Sequence, residues 1–402
     1  MSEFNSPAAQ SEALTERLLA HLHVLCEQIG PRPPATRGEQ RAAEYVRQQL
    51  WALAIDDVRE QPFRSPGTAG VNVLPLAAMA ALAQPLSRLG RFGKLNAAGL
   101  MIASFFGLRD FLLGTPSPFS ALFDAAESRN VIARIAPSQE MKRILFIVAH
   151  LDSGKQRYTL PLPVPGATRP ALNAALSLLL ISAATLIWDA LTGRKQPRAV
   201  QNLTGVVALG ALAGLMLDET QPHVEGANDN ASGVSVALEL AAALKREPLQ
   251  HTEVVLLFTG SATTGCAGIE AYVDQYAPPR DDTFWLNLEM LGGRGLCYVA
   301  LGGVSAYSAY RPGPRITAMA GRVARRHPEL RVTGRSLTIL DESALLRQRG
   351  YEAICLAGHD DQGEPPHWHR LSDVVETIAP EDLARAHAYA LHLIREIDAQ
   401  AK

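Results

Sequence analysis

The sequence predicts an α/β sandwich on a largely parallel sheet, and two observations carry the prediction. Short β-branched runs of buried-strand type recur: Arg143 to Val148 reads Arg-Ile-Leu-Phe-Ile-Val, Glu253 to Phe258 reads Glu-Val-Val-Leu-Leu-Phe, and Phe284 to Leu288 and Ala353 to Leu356 are further candidates. Segments of helical character lie between them, of which Gly233 to Leu244 is the clearest. Strands that alternate with helices imply parallel pairing, with functional groups gathered at the carboxyl ends of the strands.

Taken in order, residues 10 to 29 and 36 to 54 read as amphipathic helices separated by Ile29-Gly30-Pro31-Arg32-Pro33-Pro34, a stretch that cannot continue a helix. The first 15 residues are polar, and Glu16, Arg17 and His21 follow, so a cleaved secretory leader is not expected. Composition then shifts. No residue from Ser65 to Ser87 is charged, and after the basic turn Arg88, Arg91, Lys94 the run Leu95 to Leu108 is again uncharged. A second such unit pairs Pro170 to Trp188 with Ala199 to Leu217 around Arg194, Lys195 and Arg198. Runs of about 19 residues at about 1.5 Å each approach the hydrocarbon thickness of a bilayer.

These runs have no polar stripe to show to water, so membrane-embedded hairpins are expected at residues 65–114 and 170–217. They interrupt an α/β domain made of residues 1–64, 115–169 and 218–402. Pro75, Pro85 and the early stop at Arg109 make the first hairpin the weaker of the two. Core helices of a soluble protein, or helices buried in a homo-oligomer, are the competing reading. The expected location is a membrane, such as the plasma membrane of a bacterium. Basic hairpin tips argue for a soluble domain on the extracytoplasmic side, although a polar amino terminus argues the reverse.

With 38 basic against 40 acidic side chains, nothing suggests a nucleic-acid surface or an acidic polymer as partner. The four cysteines, Cys26, Cys266, Cys297 and Cys355, are widely spaced and form no CxxC pair, so neither a disulfide framework nor a thiolate zinc site is expected.

Four motifs carry chemistry. His150-Leu151-Asp152 follows the first strand directly; imidazole suits zinc, and an Asp two positions on can hold it, although alone the pair reads as a loop hydrogen bond. Gly226-Ala227-Asn228-Asp229-Asn230-Ala231-Ser232-Gly233 opens a helix, where Asp229 could bridge two cations or simply cap the helix. Asn287-Leu288-Glu289 puts a carboxylate at another strand end. Pro366-His367-Trp368-His369-Arg370-Leu371-Ser372-Asp373 supplies a histidine in a loop before a helix.

In this order the motifs resemble those of the co-catalytic zinc aminopeptidases, metallopeptidase family 28 of clan MH, whose relatives include glutamate carboxypeptidase and glutaminyl cyclase. The resemblance spans about residues 12 to 64 and 128 to 400. It implies a three-layer sandwich with a mixed, mainly parallel sheet, into which the hydrophobic hairpins are inserted. It also implies that His150, Asp229 and Glu289 hold one zinc, that Asp229 and His369 contribute to a second, and that Asp152 supports His150. Asp341 and Glu342 fall in a segment similar to the loop lining the family's specificity pocket.

One departure stands out. The family's strand ends Phe-x-Gly-x-Glu-Glu-x-Gly, whereas this chain reads Phe258-Thr259-Gly260-Ser261-Ala262-Thr263-Thr264-Gly265. Ala262 stands at the general-base position and Thr263 at a ligand position. A methyl group cannot accept a proton, and losing a positioned base costs about 10²- to 10⁴-fold. A hydroxyl in place of a carboxylate leaves the second cation short of a charge and a ligand. One tightly bound zinc is therefore expected, with the second site weak or empty. Glu270 and Glu342 are the nearest spare carboxylates, and spacing puts neither at the base position. Three readings follow: a membrane-associated peptidase-like hydrolase of peptide or aminoacyl substrates with impaired or altered catalysis, an inactive pseudopeptidase acting as a binding or scaffold protein, or a different, transferase-like chemistry in the same pocket.

Overall fold

A computed structural model of the chain describes residues 7–123, 125–193 and 198–401; Arg194 and Lys195, expected at a hairpin tip, and the first six residues lie outside the described residues. In chain order the elements are α1 (Pro7–His23), α2 (Arg37–Ala52), β1 (Val58–Ser65), α3 (Gly70–Leu86), α4 (Gly90–Phe111), β2 (Ala126–Ile135), β3 (Arg143–His150), α5 (Thr168–Thr192), α6 (Ala199–Glu219), α7 (Gly233–Arg246), β4 (Thr252–Thr259), α8 (Ala267–Tyr276), β5 (Thr283–Glu289), β6 (Gly295–Leu301), α9 (Pro314–Arg326), β7 (Val332–Ser336), α10 (Ser343–Gln348), β8 (Glu352–His359) and α11 (Pro380–Ala399).

The eight strands form one mixed sheet in the order β1-β2-β4-β3-β5-β8-β6-β7. Its centre, β4-β3-β5-β8, is parallel throughout, while β2 on β4 and β6 on β8 are antiparallel. Central strands read as continuous apolar runs because both of their faces are covered. Along β3, Leu145, Ile147 and Ala149 face the layer of α1, α2, α7, α9 and α11, and Phe146 and Val148 face the layer of α8 and α10. The predicted α/β sandwich with a mainly parallel sheet is thus the observed fold.

The apolar segments are helical. α3 and α4 form one pair and α5 and α6 the other, and α4 packs on α5 and α3 on α6. The inner side of this bundle, including Leu76, Ala97, Met101, Leu179 and Leu186, is buried and continues into the β6 and β8 side of the sheet through Cys297, Val299 and Cys355. Its outer side is not covered: Phe92, Trp188, Val206 and Leu209 are each at least half exposed. Among the described residues, α5 and α6 are long and apolar enough to cross a membrane, and fewer than a third of the residues in their most apolar stretches are buried. α3, at 17 residues and with Pro75 and Pro85 inside it, is shorter.

Candidate metal centre

Parallel strands deliver their carboxyl ends to one edge of the sheet, and there the motifs meet. His150 is the last residue of β3 and Glu289 the last of β5, and these strands are hydrogen-bonded neighbours. Asp229 lies in the turn Ala227–Ser232 that leads into α7, which packs on both. The His150 Nε2 atom is 3.2 Å from Asp229 Oδ1 and 3.0 Å from Glu289 Oε1, and all three side chains are buried. Their potential ligand atoms lie within 4.8 Å of one another.

The electrostatics are those of a cation site. Burial alone would lower the His150 pKa, but the Glu289 carboxylate, with Asp152 and Asp229, holds the imidazole well above its ordinary value. Burial pushes Glu289 up to about 7 against the pull of His150. Asp229 resists the same burial penalty because His150 and His369 face it, and its carboxyl stays below the usual range. Two carboxylates and an imidazole thus converge in a buried site. Asp229 Oδ2 is buried without a hydrogen-bond partner, as a free ligand oxygen would be. The donor set of one nitrogen and two carboxylates fits zinc.

On the other side of Asp229 the picture thins. His369 donates from Nδ1 to the Leu160 carbonyl at 3.1 Å, which turns Nε2 toward Asp229 Oδ2 at 3.5 Å. Burial lowers the His369 pKa, so the ring is neutral and offers a lone pair. Thr263 does not reach toward this pair: its Oγ1 donates to Asp152 Oδ2 at 2.6 Å. Asp152 also accepts from the Ala262 and Thr263 amides, each at 2.9 Å. Its main-chain carbonyl, at 2.9 Å, makes the shorter contact to His150 Nδ1, and its carboxylate is 3.3 Å away. Asp152 therefore holds the Ala262–Thr264 turn as firmly as it holds the imidazole.

A cavity of about 70 Å³ joins these groups, with Ala262, Thr263 and Glu342 in its wall beside the three candidate ligands. Phe111 and Leu112 from the end of α4 also line it, together with Leu340 and Trp368, so the bundle of α3 to α6 supplies part of the site's apolar wall. Asp341 lines the cavity too, but its carboxylate is spent on the Ser343 amide at 2.8 Å and on the Tyr310 hydroxyl. Glu270 is elsewhere, on α8, paired with Arg349 at 3.4 Å.

Three residues that shape the site escape a reading of motifs alone. Arg32, buried in the proline-rich breaker, donates to the carbonyls of Leu151, Glu225 and Gly226 and so ties two motif loops together. Glu39 accepts from the Ser261 amide at 2.6 Å and from Ser128 Oγ at 2.8 Å, fixing the turn that carries Ala262. Burial, with Asp152 nearby, raises Glu39 to about 8. Asp373, visible only as the end of the last motif, accepts from the Asn228 and Asp229 amides at 2.6 and 3.0 Å and orients the Asp229 turn. A polar residue among prolines, or a glutamate in the first turn of a helix, was the only local signal for the first two.

Residues 213–394 match the sequence model of peptidase family M28. No curated protein matches the chain by sequence. Among solved structures, the chain is similar to BSAP, a zinc aminopeptidase from Bacillus subtilis, with 16% identity and a TM-score of 0.57 over 95% of this chain and 94% of that one. It is also similar to the Fimbriiglobus ruber glutaminyl cyclase, at 17% identity and a TM-score of 0.54 over 95% of both chains. A leucine aminopeptidase precursor from Bacteroides thetaiotaomicron gives 15% identity and a TM-score of 0.53 over 96% of both. At these identities the structural likeness speaks to fold. With the motif order and the match of residues 213–394 to peptidase family M28, it bears out the resemblance read from the sequence, and the fold is similar to that of the zinc aminopeptidases.

Proposed function

We propose that this chain is a membrane-associated, zinc-dependent hydrolase of peptides or aminoacyl amides, working with one tightly held zinc and altered acid–base machinery. The convergence of His150, Asp229 and Glu289 within one cavity carries the reading. Zinc held by these three residues supplies Lewis acidity toward a carbonyl and acidifies nearby water. The chain's own residues do the rest: Asp152 and the Asp152 carbonyl fix the His150 ring, Asp373 fixes the turn bearing Asp229, and Trp368, Leu340 and Phe111 exclude water around the scissile bond. That apolar wall favours a substrate with a hydrophobic side chain next to the reacting carbonyl.

The membrane part of the proposal is supported by α5 and α6 and by the uncovered apolar side of the bundle. A homo-oligomer formed through the same surface is the competing occupant. An inactive pseudopeptidase is favoured by one observation: Asp152 is engaged by the amides of Ala262 and Thr263 and by the Thr263 hydroxyl, so the turn is held with no carboxylate at position 262 or 263. A panel of aminoacyl arylamides, assayed with zinc and with a chelator, separates the two. The hydrolase reading expects zinc-dependent turnover abolished by chelation; zinc binding with no turnover on any member favours the pseudopeptidase.

A further inference from the structure

Glu342 is a charged side chain in the cleft that the account above leaves without work. It is 1% exposed, and both carboxylate oxygens are buried without a hydrogen-bond partner. It sits immediately before α10 and lines the same cavity as His150, Asp229, Glu289 and Ala262. Thr259, whose register partner across β3 and β4 is His150, lies near enough for its hydroxyl to favour the charged form without closing a hydrogen bond. The ionisable groups that act on or feel Glu342 include His150, Glu289, Asp152, Cys266 and Cys355.

Buried carboxylates are normally satisfied by donors, and one with none is stable only while a proton or a cation shares it. Burial raises Glu342 to about 8, so without a cation nearby it keeps its proton at neutral pH. Glu342 is not a substitute ligand. Among the described residues, His150, Asp229 and Glu289 form the one set of three potential ligand atoms lying within 4.8 Å of one another, and Glu342 stands outside it. What remains is a partnerless carboxylate facing the reacting volume, in a site whose strand-end position 262 carries a methyl group. Perturbed carboxyl groups in clefts of this kind are suited to moving protons.

We infer that Glu342 is the proton acceptor of this site, doing from the segment before α10 what a carboxylate at position 262 would do. A water molecule in the cavity loses a proton to a Glu342 oxygen while the water oxygen forms a bond to the carbonyl carbon, and the carbonyl π pair moves onto its own oxygen. On collapse the C–N bond breaks, and the proton passes from Glu342 to the leaving nitrogen. Glu342 returns as a carboxylate, and water is the only co-reactant.

This inference rests on the zinc-hydrolase reading, and the test keeps the two apart. Full-length wild type, Glu342→Gln and Glu342→Asp are titrated with zinc by calorimetry in buffers of different ionisation enthalpy, then assayed on aminoacyl arylamides. The glutamine variant is isosteric and should still bind zinc, losing up to about tenfold in affinity at pH 7 because it offers no charge in place of the displaced proton, while kcat falls about 10²- to 10⁴-fold at unchanged KM. At pH 7 its zinc binding should release fewer protons, by up to about one per ion, because a cation in the cavity displaces the proton Glu342 carries. The aspartate variant should keep an intermediate rate. A raised KM at constant kcat would overturn the inference, since Glu342 would then anchor a substrate ammonium group. Unchanged kinetics or unchanged proton release would overturn it as well. A wild type that turns over with zinc while Glu342→Gln keeps its rate overturns the inference alone; a wild type that binds zinc but hydrolyses nothing, or that binds no zinc, overturns the hydrolase reading along with it.

Discussion

The two sides of the Asp229 carboxylate differ in what they can hold. On the Oδ1 side the His150 imidazole lies 3.2 Å away and is itself 3.0 Å from the Glu289 carboxylate, and both residues end central parallel strands. On the Oδ2 side there is one imidazole at 3.5 Å, and the residue that should complete the set, Thr263, has turned its hydroxyl to Asp152. The first side is built from strand ends and is as rigid as the sheet. The second is built from a turn, and in a turn a carboxylate can be replaced by a hydroxyl that finds another partner at no cost to the fold. The side that the sheet builds is the one whose three potential ligand atoms converge.

The glycines around the Ala262–Thr264 turn sharpen this point. A Cβ at Gly268 would meet the Gly260 carbonyl oxygen at 2.4 Å, and one at Gly260 would meet Ser128 Oγ at 2.4 Å. Packing demands these glycines whatever stands at positions 262 and 263. The intact frame on either side of the altered pair is therefore a statement about close approach of backbones, not about catalysis.

The largest expected effect breaks the stronger side. His150→Ala should reduce zinc affinity by more than about 100-fold, because even the loss of a group that merely orients a ligand costs about 10- to 100-fold; His369→Ala should cost much less. Equal losses from the two changes would show that the halves of the site are not as different as their geometry. Next, the weaker side can be rebuilt. Ala262→Glu with Thr263→Glu should add a second tightly bound zinc and raise turnover about 10²-fold, the low end of what a positioned base contributes, since Glu342 already serves. The two single changes should not add up to the double, and a double variant still binding one ion would mean that the turn no longer presents residue 263 to Asp229.

The pH dependence of zinc affinity gives a smaller, graded effect. His150 is held well above its ordinary value and Glu289 at about 7, so at lower pH both carry protons that zinc must displace. Affinity should rise with pH and fall as pH drops below 7, by about tenfold per unit for each proton displaced. A flat profile between pH 5 and 7 would mean that these two groups do not ligate. The smallest effect on the site itself is expected from the bundle. Deleting Pro170 to Leu217 should convert a detergent-requiring protein to a water-soluble one while leaving the His150 zinc affinity nearly unchanged. A full-length chain that is monodisperse without detergent would instead favour an oligomer interface on the exposed face of α5 and α6.

Much of this was legible in the sequence where local pattern and tertiary role coincide. The central strands read clearly because burial on both faces makes them continuous apolar runs, and His150 and Glu289 follow them directly. The outer strands were not legible: β1 reads Val-Arg-Glu-Gln-Pro-Phe-Arg-Ser and β2 begins Ala-Glu-Ser-Arg-Asn, so polar residues mask their periodicity. Glu342 was visible as a carboxylate but not as a base, because its place beside Thr259 is made by contacts between distant segments. Arg32 and Glu39 are hidden for the same reason; the site segments they hold, at Leu151, Ser128 and Ser261, lie between 89 and 222 residues away.

The central claim is that one half of a two-metal site survives and binds. Metal analysis of the purified full-length chain after equilibrium dialysis against zinc, alongside His150→Ala, tests it most directly. The account predicts one tightly bound zinc per chain, lost in the variant. Two tightly held ions per chain, or one that survives His150→Ala, would contradict it.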